Sequence, residues 1–196
     1  MTEKSLNEIH DHWVKNSTPK RYAKKLERSE FLLKYVEKYV QKKGKVLEVG
    51  CNVGRNLNHL YEHGYKGMTG IEISQEAAEC LQRTYPKLAE DAVIINSPVE
   101  DVIKSFLPNS FNLVFSMAVL EHIHPDSEWV FEEIARITGD YLITVEAEEA
   151  SSWHIFARNY KTIFEKYGFK QVTESNCKDA GLEQYTLRVF KQVSPS

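Results

Sequence analysis

The chain has 196 residues, 42% hydrophobic and 27% charged, with a net charge of −3. That length is enough for one domain with a substantial core, and the slightly acidic balance argues against a nucleic-acid partner, which calls for a basic stripe. Cys51, Cys80 and Cys177 are odd in number and form no C-x-x-C pair, which speaks against a disulfide framework or a zinc ribbon. The opening MTEKSLNEIHDHW lacks the basic-then-apolar order of a signal peptide, and no apolar run is long enough for a bilayer, so the expectation is a cytoplasmic chain with no membrane partner.

Taken in chain order, residues 1–43 read as helical. Phe31, Leu32, Tyr35, Val36, Tyr39 and Val40 recur at helical spacing, and Gly44 supplies a stop. KVLEVG, Lys45–Gly50, is a short β-rich run, followed by a helical stretch over Asn52–His63 and a second strand over Met68–Ile73. A helix is predicted over Gln75–Thr84, and strands over Ala92–Asn96 and Phe111–Met117. Asp126 or Ser127 is expected to cap a helix that runs to Ile137, ahead of a fifth strand at Tyr141–Glu146. A helix over Asn159–Tyr167 and closing strands at Phe169–Glu174 and Tyr185–Val193 complete the pattern. Strands alternating with helices imply an α/β, doubly wound, mainly parallel sheet covered on both faces, with any ligand beyond the strand C-termini.

The most informative segment is EVGCNVGRN, Glu48–Asn56, where Gly50 and Gly54 bracket a turn between a strand and a helix. Missing Cβ atoms let the backbone approach a ligand, and the helix amides suit a polar group. A dinucleotide motif G-x-G-x-x-G begun at Gly50 would need glycine where Asn52 and Arg55 stand, which obstructs the pyrophosphate approach. Glu72 ends the second strand in GIEIS, Gly70–Ser74. A carboxylate there can accept hydrogen bonds from both hydroxyls of a ribose.

These segments resemble the class I S-adenosylmethionine (SAM)-dependent methyltransferases over about Lys45 to Val193. EVGCNVGRN is similar to that family's first motif and GIEIS to its ribose-binding acid; NSPVEDV, Asn96–Val102, resembles the adenine-binding turn and FNLVFSMAVLEHI, Phe111–Ile123, the fourth strand and its loop. The resemblance implies a Rossmann-like seven-stranded sheet whose last strand runs antiparallel between the fifth and sixth. It implies SAM as cofactor and S-adenosylhomocysteine as product. Glu48 and Gly50 would line the methionine end, with Asn52, Gly54 and Arg55 shaping the wall near its amino and carboxylate groups. Glu72 would hold the ribose with Ile73 beside it; the Val99 amide and Glu100 would face adenine; Met117 would pass beneath the sulfonium. Pro98 stands where many relatives carry an acid.

An activated methyl leaves the protein mainly the task of positioning, worth about 7–11 kcal/mol; a general base adds less. Base candidates follow the fourth and fifth strands: Glu121, His122, His124 and His154. The loop is similar to the metal-binding E-x-x-E-H of small-RNA 2′-O-methyltransferases and ubiquinone-pathway O-methyltransferases. Here Ala118 replaces the first carboxylate, and no metal is expected. Residues 1–43 are expected to form a cap over a core at 44–196, with Trp13 and Tyr22 as a lid beside the sulfonium. SSWHIFARNY, Ser151–Tyr160, offers Trp153, Arg158 and Tyr160 as an acceptor wall. The function expected is methyl transfer to oxygen or nitrogen of a small organic acceptor. The alternatives are a protein or peptide side-chain methyltransferase, a nonenzymatic SAM-fold binding module and, fourth, a dinucleotide-dependent oxidoreductase. The sequence sets neither the acceptor nor the oligomeric state.

Overall fold

The computed structural model describes residues 4–193; residues 1–3 of the expected cap and 194–196 of the expected core lie outside them. Helices α1 (Leu6–Asn16), α2 (Pro19–Tyr22) and α3 (Leu26–Tyr39) precede strand β1 (Val46–Val49). Then come α4 (Arg55–Glu62), β2 (Met68–Glu72), α5 (Gln75–Thr84), α6 (Pro86–Asp91), β3 (Val93–Asn96) and α7 (Val99–Val102). The chain ends with β4 (Phe111–Met117), α8 (Trp129–Ile137), β5 (Thr138–Glu146), α9 (Tyr160–Lys166), β6 (Phe169–Cys177) and β7 (Leu182–Gln192). The sheet order is β3-β2-β1-β4-β5-β7-β6. Strands β1 to β5 pair in parallel and β7 runs antiparallel to both β5 and β6. The expected seven-stranded Rossmann-like sheet, with its last strand inserted, is therefore present.

Successive strand residues face opposite sides, and the two cores follow that alternation. Val46, Leu113, Phe115 and Ile143 meet α3, α4 and α5 on one face, while Leu47, Val49, Val114 and Leu142 meet α8 and α9 on the other. Leu32 and Val36 of α3 are fully buried, so α3 covers the sheet. The segment expected as one cap over 1–43 thus divides: α3 packs into the core, and only α1 and α2 remain over the strand ends. The break has local causes. Thr18 takes a left-handed φ of 41° and Pro19 opens α2, because proline is best placed in a first helical turn. Helix α1 starts in a capping box, with the Ser5 hydroxyl accepting from the Glu8 amide and the Glu8 carboxylate from the Ser5 amide.

The helix expected from Asp126 or Ser127 begins later, at Trp129. The His124 ring accepts the Asp126 amide (3.1 Å) and sets a single tight turn over Pro125–Ser127 first. The fifth strand starts earlier than expected, at Thr138, which pairs with Phe111 of β4, and the sixth runs on to Cys177 because antiparallel pairing with β7 continues its ladder.

Candidate functional site

The sheet order reverses beside β1, which lies between β2 and β4, so the crevice opens at the C-terminal ends of those three strands. There the turn after β1, the ends of β2 and β4, and helices α1, α2 and α7 enclose about 1060 Å³ of empty space, open mouth included. Of the residues singled out in the sequence, Trp13, Tyr22, Glu48, Gly50, Asn52, Arg55, Glu72, Ile73, Val99, Glu100, Met117 and His122 line it.

The turn that follows β1 takes three left-handed residues, Gly50 (φ 70°), Asn52 (47°) and Gly54 (71°). A Cβ on Gly50 would overlap both Val119 methyls, and one on Gly54 would overlap Leu81. Gly54 is thus needed for the turn and its packing rather than as a wall of the cleft. Asn52 bears its conformation through its side chain, whose oxygen accepts the Val53 amide (2.8 Å) and whose nitrogen donates to the Ser17 carbonyl at the end of α1 (2.9 Å). Gly50→Ala is expected to destabilise the fold by about 1–3 kcal/mol and to weaken cleft binding, measured by denaturant unfolding and ligand titration.

Glu72 is 5% exposed. Its two carboxylate oxygens accept the amides of Asn52 (2.7 Å) and Ser74 (2.8 Å). Burial pushes its pKa up against those two bonds, and each oxygen keeps a lone pair for a further donor. Glu48 is fully buried; the Asn56 amide donates to Oε1 (2.7 Å), whereas Oε2 has no partner. Burial pushes its pKa up to about 8, so the group is mostly protonated at neutral pH. Glu100 meets His10 of α1 at 3.3 Å. Burial alone would raise the Glu100 pKa, but the His10 bond and its neighbours outweigh that and lower it, while the same bond raises His10. The pair fastens α1 to the start of α7.

Arg55 is spent inside the protein, donating to the carbonyl of Tyr22 (3.0 Å), to Ser29 Oγ (2.9 Å) and to Asn56 Oδ1 (2.9 Å). A second guanidinium, Arg28 of α3, also lines the cleft, and its buried Nε has no partner. Sequence reasoning missed Arg28, along with Ile9, His10 and Ser17 of the N-terminal segment. Arg28 lies in a run of lysines and glutamates that reads as a solvated helix face, and only its position one residue from the buried Ser29 hints otherwise.

Beyond Met117 the wall consists of Trp13, His122, Val119 and Ile123. Trp13 packs on the His122 ring with centroids 4.3 Å apart. His122 Nδ1 donates to the His154 carbonyl (2.6 Å), since a carbonyl can only accept; the lone pair therefore sits on Nε2. Burial pushes its pKa down to about 4, so the ring is uncharged near neutrality.

The remaining expected residues stand behind this wall and do not line the cleft. His154 stacks on His122 (5.4 Å, 17°), and Trp153 packs on His12 and His154. Glu121 turns away, accepting the Ala147 amide (2.5 Å) and the Tyr185 hydroxyl (3.0 Å). Arg158 donates to the carbonyls of Leu120 (3.4 Å) and Ile123 (2.7 Å), and Tyr160 is fully buried against Phe131 and Phe164. His124 accepts the Asp126 amide and meets the Lys4 carbonyl (3.1 Å), pinning the N-terminal segment. For Trp153, His154, Arg158 and Tyr160 the reason is shared: the 151–160 segment crosses back under the loop after β4, with the Phe156 amide donating to the Glu121 carbonyl (2.8 Å). Among the described residues, no group of three or more His, Cys, Asp or Glu side chains is arranged to hold a metal ion.

Residues 47–140 match the family described as Methyltransferase domain. No curated protein matches the sequence. Solved structures match along nearly the whole chain. A chain of the complex between the Haloferax volcanii Trm112 methyltransferase activator and its methyltransferase partner has a TM-score of 0.76 at 14% identity, covering 98% of this chain and 99% of that one. The magnesium protoporphyrin IX methyltransferase from Synechocystis PCC 6803, solved with S-adenosylhomocysteine, has a TM-score of 0.76 at 12% identity, with coverages of 96% and 100%. The PH0226 protein from Pyrococcus horikoshii OT3 has a TM-score of 0.68 at 20% identity, with coverages of 92% and 95%. At these identities the likeness establishes the fold, and the domain match adds a methyltransferase domain over residues 47–140. An acid-ended β2 beside a left-handed glycine turn, inside a sheet of this order, gives the chain the fold of the class I SAM-dependent methyltransferases; residues 47–140 match the methyltransferase domain, and SAM is the cofactor these findings support.

Proposed function

We propose that the chain transfers a methyl group from SAM to an oxygen or nitrogen of a small organic acceptor. The observation that carries this reading is the uncharged, largely aromatic wall beyond Met117, where Trp13 and a neutral His122 face an enclosed cleft. SAM supplies a methyl group already activated by the sulfonium, and the side chains bind and orient. Glu72 accepts from the ribose hydroxyls, with Ile73 alongside; the Val99 amide and Glu100 face adenine. Glu48 and Arg28 take the amino and carboxylate groups of the methionine end, a fit supported by the unpartnered Glu48 Oε2 and Arg28 Nε. Gly50, Asn52 and Arg55 shape that end, and Gly54 holds the turn.

His122 Nε2 accepts the proton or hydrogen bond of the acceptor, and His154 orients the ring through its carbonyl. Trp153, Arg158, Tyr160 and Glu121 brace this wall from behind. Helices α1 and α2 act as the lid, fastened by His10 to Glu100, by Ser17 to Ser74 (2.8 Å) and by Asn52 to Ser17. An aromatic ring near a sulfonium gains about 0.5–2 kcal/mol. Trp13→Ala is therefore expected to weaken SAM binding about 2- to 30-fold and S-adenosylhomocysteine, which lacks the charge, less. Equal losses for both ligands would show that Trp13 only docks α1.

The deciding experiment supplies labelled SAM with a panel of small hydroxyl and amine compounds, and in parallel with protein and peptide acceptors. Label in a small compound together with release of S-adenosylhomocysteine is the expected result. Label found only in the protein or peptide arm would overturn the acceptor class, and binding of SAM with no transfer in either arm would favour a nonenzymatic module.

A further inference from the structure

We propose that Glu146, which never touches the cleft, positions the loop that forms its acceptor wall, through a single proton shared with Glu121. The proposal rests on the reading that residues 118–123 form that wall. Glu146 ends β5 and is fully buried. Ser116 Oγ donates to its Oε1 (2.7 Å), and the amides of Val119 (3.0 Å) and Glu121 (3.3 Å) converge on its Oε2. The return bond comes from the next residue along β5's exit, since the Ala147 amide donates to Glu121 Oε2. Each carboxyl therefore grips the backbone next to the other, a reciprocal clasp between the ends of β4 and β5. The clasp holds a strained turn: Ala118 sits at φ 59°, a region that alanine populates rarely. Val119 and His122, on the held side, face the cleft.

The Glu121 amide on Glu146 Oε2 and the Ala147 amide on Glu121 Oε2 bring the two carboxyl groups into one clasp, and among the described residues no cation is placed to neutralise both. Arg158, the guanidinium of this region, is committed to the Leu120 and Ile123 carbonyls and to Glu128 Oε1 (3.3 Å). From the loop itself His122 Nε2 stands 3.5 Å from Glu121 Oε1, and burial keeps that ring neutral; His154 behind it is lowered too. From β7 and α9 come only the Tyr185 and Tyr160 hydroxyls, both raised by burial. Burial also raises both carboxyls. Two like charges in a dry interior cannot both ionise near neutrality, so one proton stays between them. When it leaves at alkaline pH, the clasp carries two facing negative charges and the loop is pushed out of register.

The test follows the His122 ring by NMR from pH 5 to 10, with S-adenosylhomocysteine affinity measured at pH 7. His122, held down to about 4, is essentially neutral above pH 7, so an inflection in its ring shifts above that pH reports the neighbouring pair. Wild-type protein is expected to show one. Glu146→Gln keeps the shape and donates a fixed hydrogen to Glu121; the inflection should vanish while affinity stays within about threefold, and Glu146→Leu should lose about tenfold or more. A flat wild-type profile, or an unchanged inflection in Glu146→Gln, would overturn the proposal. If Glu146→Leu fails to fold, the glutamine variant still decides. Absence of S-adenosylhomocysteine binding by wild-type protein would instead count against the methyltransferase site, leaving the His122 result to judge the clasp.

Discussion

Glu72→Ala is expected to weaken S-adenosylhomocysteine binding by at least about 100-fold, because hydrogen bonds to a charged acceptor are worth about 1.5–3 kcal/mol each and two ribose hydroxyls would lose theirs. The same change strips partners from the buried amides of Asn52 and Ser74, so some stability falls as well, by about 1–3 kcal/mol per orphaned group. Glu72→Gln separates the two effects. Its carbonyl oxygen can still accept one amide, but its amino group repels donors, so binding should fail while most of the stability remains. Calorimetric titration beside thermal unfolding reads both. A glutamine variant that binds as well as wild type would show that the carboxylate serves only the turn.

The second large effect is a pH dependence centred on Glu48. In the free protein, burial leaves this carboxyl protonated up to about pH 8. An ammonium placed against its unpartnered Oε2 favours the ionised form, so binding must expel a proton. Affinity is therefore expected to rise with pH, by up to about tenfold per unit below pH 8. Above that it should level off and then fall, because the free ligand's α-amino group loses its own proton at about 7.7–8.0. Titrations in buffers of different ionisation heat should register the released proton. Glu48→Gln should bind more weakly and lose the slope between pH 6 and 8. A wild-type affinity that is flat across that interval would remove Glu48 from the ammonium's position.

The contrast between the two ends of the cleft shows which residues announce themselves. The cofactor end is built from short-range chemistry. Gly50 and Gly54 stand where φ must be positive, and Glu72 stands where a strand terminates beside that turn. The acceptor end is built from segments far apart in sequence. Trp153, Arg158 and Tyr160 form a group rich in recognition-type side chains, yet the segment that carries them passes beneath the loop after β4, and its guanidinium and rings are consumed in bracing that loop. Glu121 was a plausible base by adjacency to His122, but its amide is bound to Glu146 and its carboxyl faces Ala147 and Tyr185. Arg28 was hidden in the reverse way, as one cation among many in a helix whose buried face carries it into the cleft.

The sequence by itself determined the alternation of strands and helices, the turn after β1 and the acid after β2, because each depends on residues within a few positions of one another: side-chain periodicity, glycine's backbone freedom and the place of a strand end. Only the tertiary structure decided which of the later aromatic, histidine and arginine side chains meet the cleft, and that α3 joins the core while α1 and α2 lie over the site. Those outcomes depend on packing between segments from about thirty to more than a hundred residues apart, such as His122 with His154, Ser17 with Ser74 and His124 with Lys4. There a side chain's partner is set by where the chain returns, and the residue type alone carries no record of it.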